Sequence, residues 1–466
     1  MGLVSDSGRN GLFGPLFSHS AVAVSDTDWL QAMLDTEAAL ARAVERAGLA
    51  APGSGAAVTA AARPDRFDID ELGRAAVLAG NPVPPLARAL SALLPAGQRE
   101  AVHLGATSQD IIDTAVMLLA RRAIGVIESD LATAAGHAAR LARENTATVL
   151  AGRTLLQQAV PVTFGLVAAG WLTSIDESRR DLRRAESRLA IQFGGAAGTL
   201  ASLGSAGPAV AALLADELGL AEPVLPWHTD RLRIVQLAAA LAGVSAALSK
   251  IARDVTLLAQ TEVAEVSESG DDPRQGGSSA MPHKRNPVIS ILVLGCTRRV
   301  PGLLATLTAA AEQEHQRAAG AWHAEWEALS ELLQLTGSAA SWSATLLAGL
   351  RVDADRMRAN LDASGGLPMA EHVTAELAPA LGRLAAHDLV AAAAARAAAT
   401  GTTLTAELLG DAETAAALRA AGISERELAA AVDPTAYLGA SAAFTQRVLA
   451  AHDELRNEEG AEPGER

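Results

Sequence analysis

The stretch Gly276-Gly277-Ser278-Ser279-Ala280-Met281-Pro282-His283-Lys284-Arg285-Asn286-Pro287 decides how the rest of the chain is read. Two glycines free the backbone, two prolines fix it again, and hydroxyls, cations and an amide lie between them. The preceding residues, Ser267 to Gln275, are polar and rich in breakers. Together they predict a loop of roughly twenty residues between two helical segments, a length that inside a compact domain is functional or disordered. A solvated linker has no need of that dense polar set between fixed prolines. The functional reading is therefore favoured.

Outward from the loop the chain is helical. Thr229 to Val266 runs without proline and with one glycine, about 57 Å if fully helical. Asp113 to Asn145 and Pro161 to Gln192 are similar, and Pro287 to Gln316 is a fourth segment with a kink expected at Pro301-Gly302. Ser25 or Asp26 can cap a helix through Trp29, Met33, Leu34 and Leu40. Such rods with wide apolar faces require a bundle, and their alanine faces imply close approach of helices, between subunits as well. The expected fold is all-α in three parts: 1–105, a long-helix bundle over 106–350 carrying the loop 267–287, and 351–455, with a disordered tail at 456–466.

Composition agrees. Half the residues are hydrophobic but only 3% are aromatic, so the core is built from Ala and Leu, which favours packed helices over sheets. A net charge of −15 argues against nucleic acid or an anionic membrane as partner. The single cysteine, Cys296, rules out an intrachain disulfide and fits a reducing cytoplasm. No apolar run near ~18 residues is evident, and no basic-then-apolar leader opens the sequence. No His/Cys/carboxylate cluster has metal spacing and no GxGxxG opens a helix after a strand, so no cofactor is expected.

Two further stretches carry chemistry. In Val102 to Ala115, Thr107 or Ser108 can cap a helix, with Asp110 and Asp113 near its positive end. The same helix end can hold an anion. Gly152 to Gly165 holds Arg153, Thr154 and Gln157. Trp227, Trp322 and Trp326 read as packing anchors.

The loop resembles, almost letter for letter, the GSSxMPxKxNP motif of the fumarase/aspartase superfamily. The 103–115 stretch resembles its HxGxTSxDxxDTA region and the 153–165 stretch its RTHxQxAxPxTxG region. The resemblance implies that Ser278 is the base for a proton beside a carboxylate, and that Lys284 and Asn286 hold that carboxylate. His103, Thr107, Ser108, Arg153, Thr154, Gln157 and Ser279 are carried over as substrate-binding. Leu155 stands where fumarases and adenylosuccinate lyases have histidine, and Ile291 where that histidine's glutamate partner would lie. Both members of a buried pair are apolar here, which implies a quiet core contact.

Pro226 to Arg231, Gln313 to Arg317 with Ala321 to Trp326, and Asp433 to Gly439 resemble the 3-carboxy-cis,cis-muconate cycloisomerase branch. That likeness adds Arg231, His315 and Arg317 as contacts for a tricarboxylate substrate. It implies lactonisation of that triacid, a homotetramer with a twenty-helix core, and sites shared between subunits. Competing expectations are a lyase of a substituted succinate, adenylosuccinate lyase, and a catalytically silent structural relative.

Overall fold

The computed structural model describes residues 12–268 and 275–460. It is 69% helix and 5% strand, so the all-α class holds. The elements that position the site are α1 (Asp26–Arg46), α2 (Ser108–Glu144), a β-hairpin of β1 (Val149–Thr154) and β2 (Gln157–Thr163), α3 (Phe164–Glu186) and α4 (Leu232–Leu258). They continue through β3 (Val266–Glu268), α5 (Val288–Thr297), α6 (Val300–Ala309), α7 (Glu325–Gly349) and β4 (Leu350–Val352), and the last helix is α8 (Ser441–Gly460).

Local sequence explains most boundaries. Ser25 caps α1 with a reciprocal pair: its hydroxyl accepts from the Asp28 N–H, and its own N–H donates to Asp28 Oδ2 at 2.7 Å. The break expected at Pro301-Gly302 lies just before it, between Thr297 and Val300. Pro301 sits in the first turn of α6, where its missing N–H is no loss. α8 continues to Gly460, so the tail expected to be disordered begins as helix, and 461–466 lie outside the described residues.

By compactness the chain forms two units that alternate along the sequence. The first comprises Met1–Thr133, Glu177–Ala252 and Ile291–Ala344, the second Ala134–Asp176, Arg253–Ser290 and Thr345–Arg466. No unit edge falls near the break expected at 105, whereas the edge between Ala344 and Thr345 lies close to the one expected at 350. In the first unit every residue of α2 from Gln109 to Ala120 is buried, including the polar Gln109, Asp110, Asp113 and Thr114. In the second, Met369, Val373, Leu377, Val390, Leu404 and Leu408 form a core among the short C-terminal helices.

Two expectations change. By length and composition α4 and the 288–309 segment are apolar enough to cross a membrane, although only 44% and 33% of their most apolar windows is buried. Alanine raises the hydropathy of these windows without making a long unbroken run of large side chains. Leu155 and Ile291 are expected in a core, but Leu155 is 97% exposed and Ile291 51% exposed, so neither is buried within its own unit. Leu155 sits at the hairpin tip rather than in a core.

Candidate active site

In the first unit the expected residues gather around the start of α2. Asp110 is buried and accepts from the N–H groups of Thr107, Gly194 and Gly195 at 3.0, 3.0 and 2.9 Å and from His228 Nε2 at 2.7 Å. It therefore ties the helix start to a second loop. Gly195 has φ +67°, and a Cβ there would meet the Gly105 carbonyl at 2.9 Å, so the two loops pass too closely for a side chain.

Arg317 donates to Thr107 Oγ1 at 3.2 Å and to the Gly195 and Ala196 carbonyls at 3.3 and 3.1 Å. All three acceptors are neutral, and among the described residues no carboxylate pairs with it. Ser108 Oγ is likewise free of a protein partner among them. The result is a helix start, a hydroxyl and an un-neutralised guanidinium together, a setting suited to a carboxylate.

His103 stands beside this point with φ +60°. Its Nδ1 lies 2.7 Å from Oε1 of fully buried Glu37, and its N–H donates to Glu37 Oε2 at 2.9 Å. Burial would lower the imidazole pKa, but the Glu37 hydrogen bond and the charges of Glu37 and Asp110 outweigh it and raise the pKa above its ordinary value. His315 is exposed, and its carbonyl accepts from the Thr229 hydroxyl at 2.9 Å.

Arg231, expected to contact substrate, has its donors engaged inside the protein instead. It is 2% exposed and forms a bidentate pair with Asp113 at 2.7 and 2.9 Å. It reaches Glu325 through Nε and Nη2 at 3.0 and 2.5 Å. Burial opposes its charge, but the two carboxylates outweigh burial and push its pKa up. Asp113 also accepts from Trp322 Nε1 at 3.0 Å, and the Arg231 guanidinium lies 4.7 Å from the Trp227 ring centre. Trp227 and Trp322 are thus buried anchors of this ion cluster.

In the second unit the loop is closed at both ends. Asn286 donates through its N–H and its Nδ2 to the Gly276 carbonyl at 2.8 and 3.0 Å. Gly276 has φ +68°, and a Cβ would lie 2.4 Å from the Asn286 carbonyl oxygen, so the neck requires glycine. Below the neck, Glu268 accepts from the N–H groups of Ile289 and Ser290 at 2.9 and 2.8 Å and from the Ser290 hydroxyl at 2.7 Å. One carboxylate thereby joins the leading end of the loop to the start of α5.

Within the loop, Ser278 Oγ accepts from the N–H groups of Met281 and Ala280 at 3.1 and 3.3 Å. Two backbone donors aimed at one hydroxyl oxygen stabilise it as an anion. Lys284 and Ser279 are exposed, and Lys284 has no carboxylate partner among the described residues. Residues 269–274 of the loop lie outside them. One of the Asn286 side-chain donors is spent on the loop neck.

The hairpin carries Arg153, Thr154 and Gln157. Thr154 and Gln157 pair across a two-residue turn formed by Leu155 and Leu156, with φ +51° and +66°. Both leucines and both flanking polar residues are exposed. Arg153 departs from its expected role: it forms a bidentate pair with fully buried Glu265 at 2.9 and 2.7 Å, and Asn360 Nδ2 also donates to Glu265 at 2.9 Å. Its charge is balanced within the unit, and it braces the hairpin. The expected site residues therefore fall into two groups, one on each unit.

Comparison with known proteins shows that the chain belongs to the lyase family. Residues 24–302 match the family described as lyase, and residues 366–448 the one described as adenylosuccinate lyase C-terminus. The chain is 46% identical over 444 residues to a protein of Bradyrhizobium diazoefficiens named 3-carboxy-cis,cis-muconate cycloisomerase, covering 94% of this chain and 97% of that one. It is also 46% identical to the nitrosuccinate lyase of Streptomyces davaonensis, covering 95% of each. The solved 3-carboxy-cis,cis-muconate lactonizing enzyme of Pseudomonas putida superposes with a TM-score of 0.88 at 43% identity, over 96% of this chain and all of that one.

Sequence reasoning missed Glu37, Glu265 and Glu268. Each is a buried or half-buried glutamate whose partner lies far along the chain, so no local pattern marks it.

Proposed function

We propose that the chain is an intramolecular lyase that closes 3-carboxy-cis,cis-muconate to 4-carboxymuconolactone. The observation that carries this is the Ser278 hydroxyl beneath two backbone N–H donors, in a loop that also presents Lys284, which has no carboxylate partner among the described residues. In the forward direction a substrate carboxylate oxygen bonds to one carbon of the double bond, and its electron pair moves toward the neighbouring carboxylate. The Ser278 O–H then gives its proton to the adjacent carbon, and the Ala280 and Met281 N–H groups hold the resulting alkoxide. Lys284, with the remaining Asn286 donor, holds the carboxylate that gains charge. Arg317, Thr107 and Ser108 hold another, with His103 and His315 beside them, and Thr154, Gln157 and Ser279 supply neutral contacts.

In the reverse direction the leaving group is a carboxylate with a pKa near ~4, which departs without a proton. The exposed leucine tip at Leu155 is compatible with that, because no acid is required there. The assay is loss of the conjugated triacid absorbance. Turnover by wild type and a loss of at least ~10²-fold in Ser278→Ala support the reading, while a variant within about tenfold of wild type defeats it.

A second reading has its own support: the nitrosuccinate lyase relative is as similar as the cycloisomerase one. Elimination of a stable anion from a substituted succinate also needs no general acid. Nitrite release from nitrosuccinate, measured beside triacid loss, separates the two.

The active assembly we propose is a cytoplasmic homotetramer with shared sites. Support comes from the uncovered leucine tip, the division of site residues between two units, and the partly uncovered apolar faces of α4 and the 288–309 segment. Refolding mixed Ser278→Ala and Thr107→Val chains restores activity if those residues meet from different subunits.

A further inference from the structure

Glu37 lies near the middle of α1, among buried alanines and leucines, and is itself fully buried. It gives both carboxylate oxygens to one residue. Oε2 accepts from the His103 N–H at 2.9 Å, and Oε1 lies 2.7 Å from His103 Nδ1. Among the described residues neither oxygen has another partner, and no lysine or arginine forms an ion pair with it. A carboxylate taken wholly out of water is kept ionised only by an opposing charge. The His103 ring is the group in place to supply it, with a proton on Nδ1. Burial opposes that charge, but Glu37 and Asp110, which face the ring from α1 and α2, outweigh it.

The two bonds do different work. His103 has φ +60°, a left-handed backbone that a residue with a side chain adopts only when its surroundings hold it, and the bond from its N–H to Oε2 does so. The ring bond fixes orientation. The His103 side chain is 25% exposed and Glu37 is not exposed at all, so with Nδ1 against Glu37 the exposed part of the ring is the side that carries Nε2. Nε2 has no protein partner among the described residues. It belongs to the turn that leads into Thr107, on whose hydroxyl the Arg317 guanidinium rests.

We propose that Glu37 is a positioning residue of the acid site: it holds His103 as an imidazolium whose Nε2–H donates to a substrate carboxylate beside Arg317, so affinity for the acid follows the protonation of one histidine. Glu37 itself never meets the substrate. The inference rests on the reading of the Thr107–Arg317 corner as a carboxylate site, and not on which acid is turned over.

The test has two arms on the full-length protein. In the first, KM and kcat for the triacid are recorded from about pH 6 to about pH 9, where substrate carboxylates with pKa near ~4 stay ionised. Wild-type KM should rise with pH as His103 loses its proton. In Glu37→Gln the rise should begin at lower pH, with KM up to about tenfold above wild type where the two differ most, the loss of one charge-assisted hydrogen bond. The gap should narrow toward pH 6, and kcat should change less than KM. Glu37→Asp, which keeps the charge, should lie between the two, and His103→Gln should show no such rise. A purely structural role would shift KM or kcat by the same factor at every pH. In the second arm, isothermal titration with benzene-1,2,4-tricarboxylate in buffers of different ionisation enthalpy counts protons taken up on binding. Wild type should take up a proton at the alkaline end and His103→Gln none. This arm needs no turnover, so uptake without triacid turnover defeats the proposed reaction and leaves the role of Glu37 standing. Parallel KM profiles for wild type and Glu37→Gln, or binding without proton uptake, would overturn the proposal whatever is turned over. Should Glu37→Gln not fold, a Glu37→Asp rise at or above the wild-type pH would do the same. No binding and no turnover removes the acid site and the proposal with it.

Discussion

Replacing Arg231 with Met should cost stability first. Its guanidinium is the only cation between buried Asp113 and Glu325 among the described residues, and it donates four hydrogen bonds to them. Without it Asp113 keeps donors from Trp322, Gln109 and Gln192, but Glu325 keeps only the Gln313 amide. Breaking a buried pair from one side typically costs ~3–5 kcal/mol because a charge is left uncompensated. Unfolding entropy of roughly 2.1 cal/mol/K per residue over 466 residues is about 1 kcal/mol/K, so the midpoint should fall by about 3–5 °C if the chain melts as one. Burial already raises the Glu325 pKa against the lowering effect of Arg231, and losing Arg231 raises it further. A carboxyl whose folded pKa lies above its unfolded value stabilises most at low pH. The deficit should therefore shrink toward pH 5 and widen toward pH 8. Adding Glu325→Gln should recover part of it, measured as a double-mutant cycle on thermal midpoints at one scan rate. An unchanged midpoint with a raised KM would refute this account and return Arg231 to the substrate.

The remaining predictions concern single residues. Leu155 and Leu156 hold left-handed backbone at about 1–2 kcal/mol each, so Leu155→Asn with Leu156→Gly should relax the turn. Turnover should nevertheless fall several-fold if the tip lines a neighbouring site, and unchanged kinetics would remove it from the site. His103 has a raised pKa through Glu37 and Asp110 despite burial. The stability gap between wild type and His103→Gln should be full below about pH 6.5 and close as pH rises through the higher folded value; a gap that widens with pH would contradict the pairing. Burial pushes the Cys296 thiol up to about 11, so native protein at pH 8 should resist iodoacetamide and unfolded protein should not, as read by mass spectrometry.

Much of this was legible because it is local. The helices declare themselves through apolar spacing, capping at Ser25 and the rarity of proline, and the loop through its hydroxyls and cations between fixed prolines. The hairpin was not legible as a hairpin. Its turn is Leu155-Leu156, where the expected residues would be Asn-Gly, so nothing in the stretch signals a tight reversal. Arg153 and Arg231 read as free cations in the sequence for a related reason: the carboxylates that pair with them are distant along the chain. Glu265 lies 112 residues from Arg153 and Asp113 lies 118 from Arg231, and no periodicity connects them.

The pairing of these two arginines bears on how the site attracts its substrate. A chain with net charge −15 repels a triacid at long range, so local cations must overcome the field of the whole molecule. Arg153 and Arg231 cannot contribute, because Glu265, Asp113 and Glu325 already cancel them. Their burial instead fixes the hairpin and the start of α2 without adding charge for a substrate to sense. Among the described residues, Lys284 and Arg317 are motif cations with no carboxylate partner. Arg317 stands over Thr107 at the start of α2, and Lys284 follows Ser278 by six residues in the loop. Neutralised arginines thus build the frame, and in the proposed reaction the cations without a carboxylate partner are the ones that hold the acid. The same residue type serves both ends, and only the position of a distant carboxylate decides which.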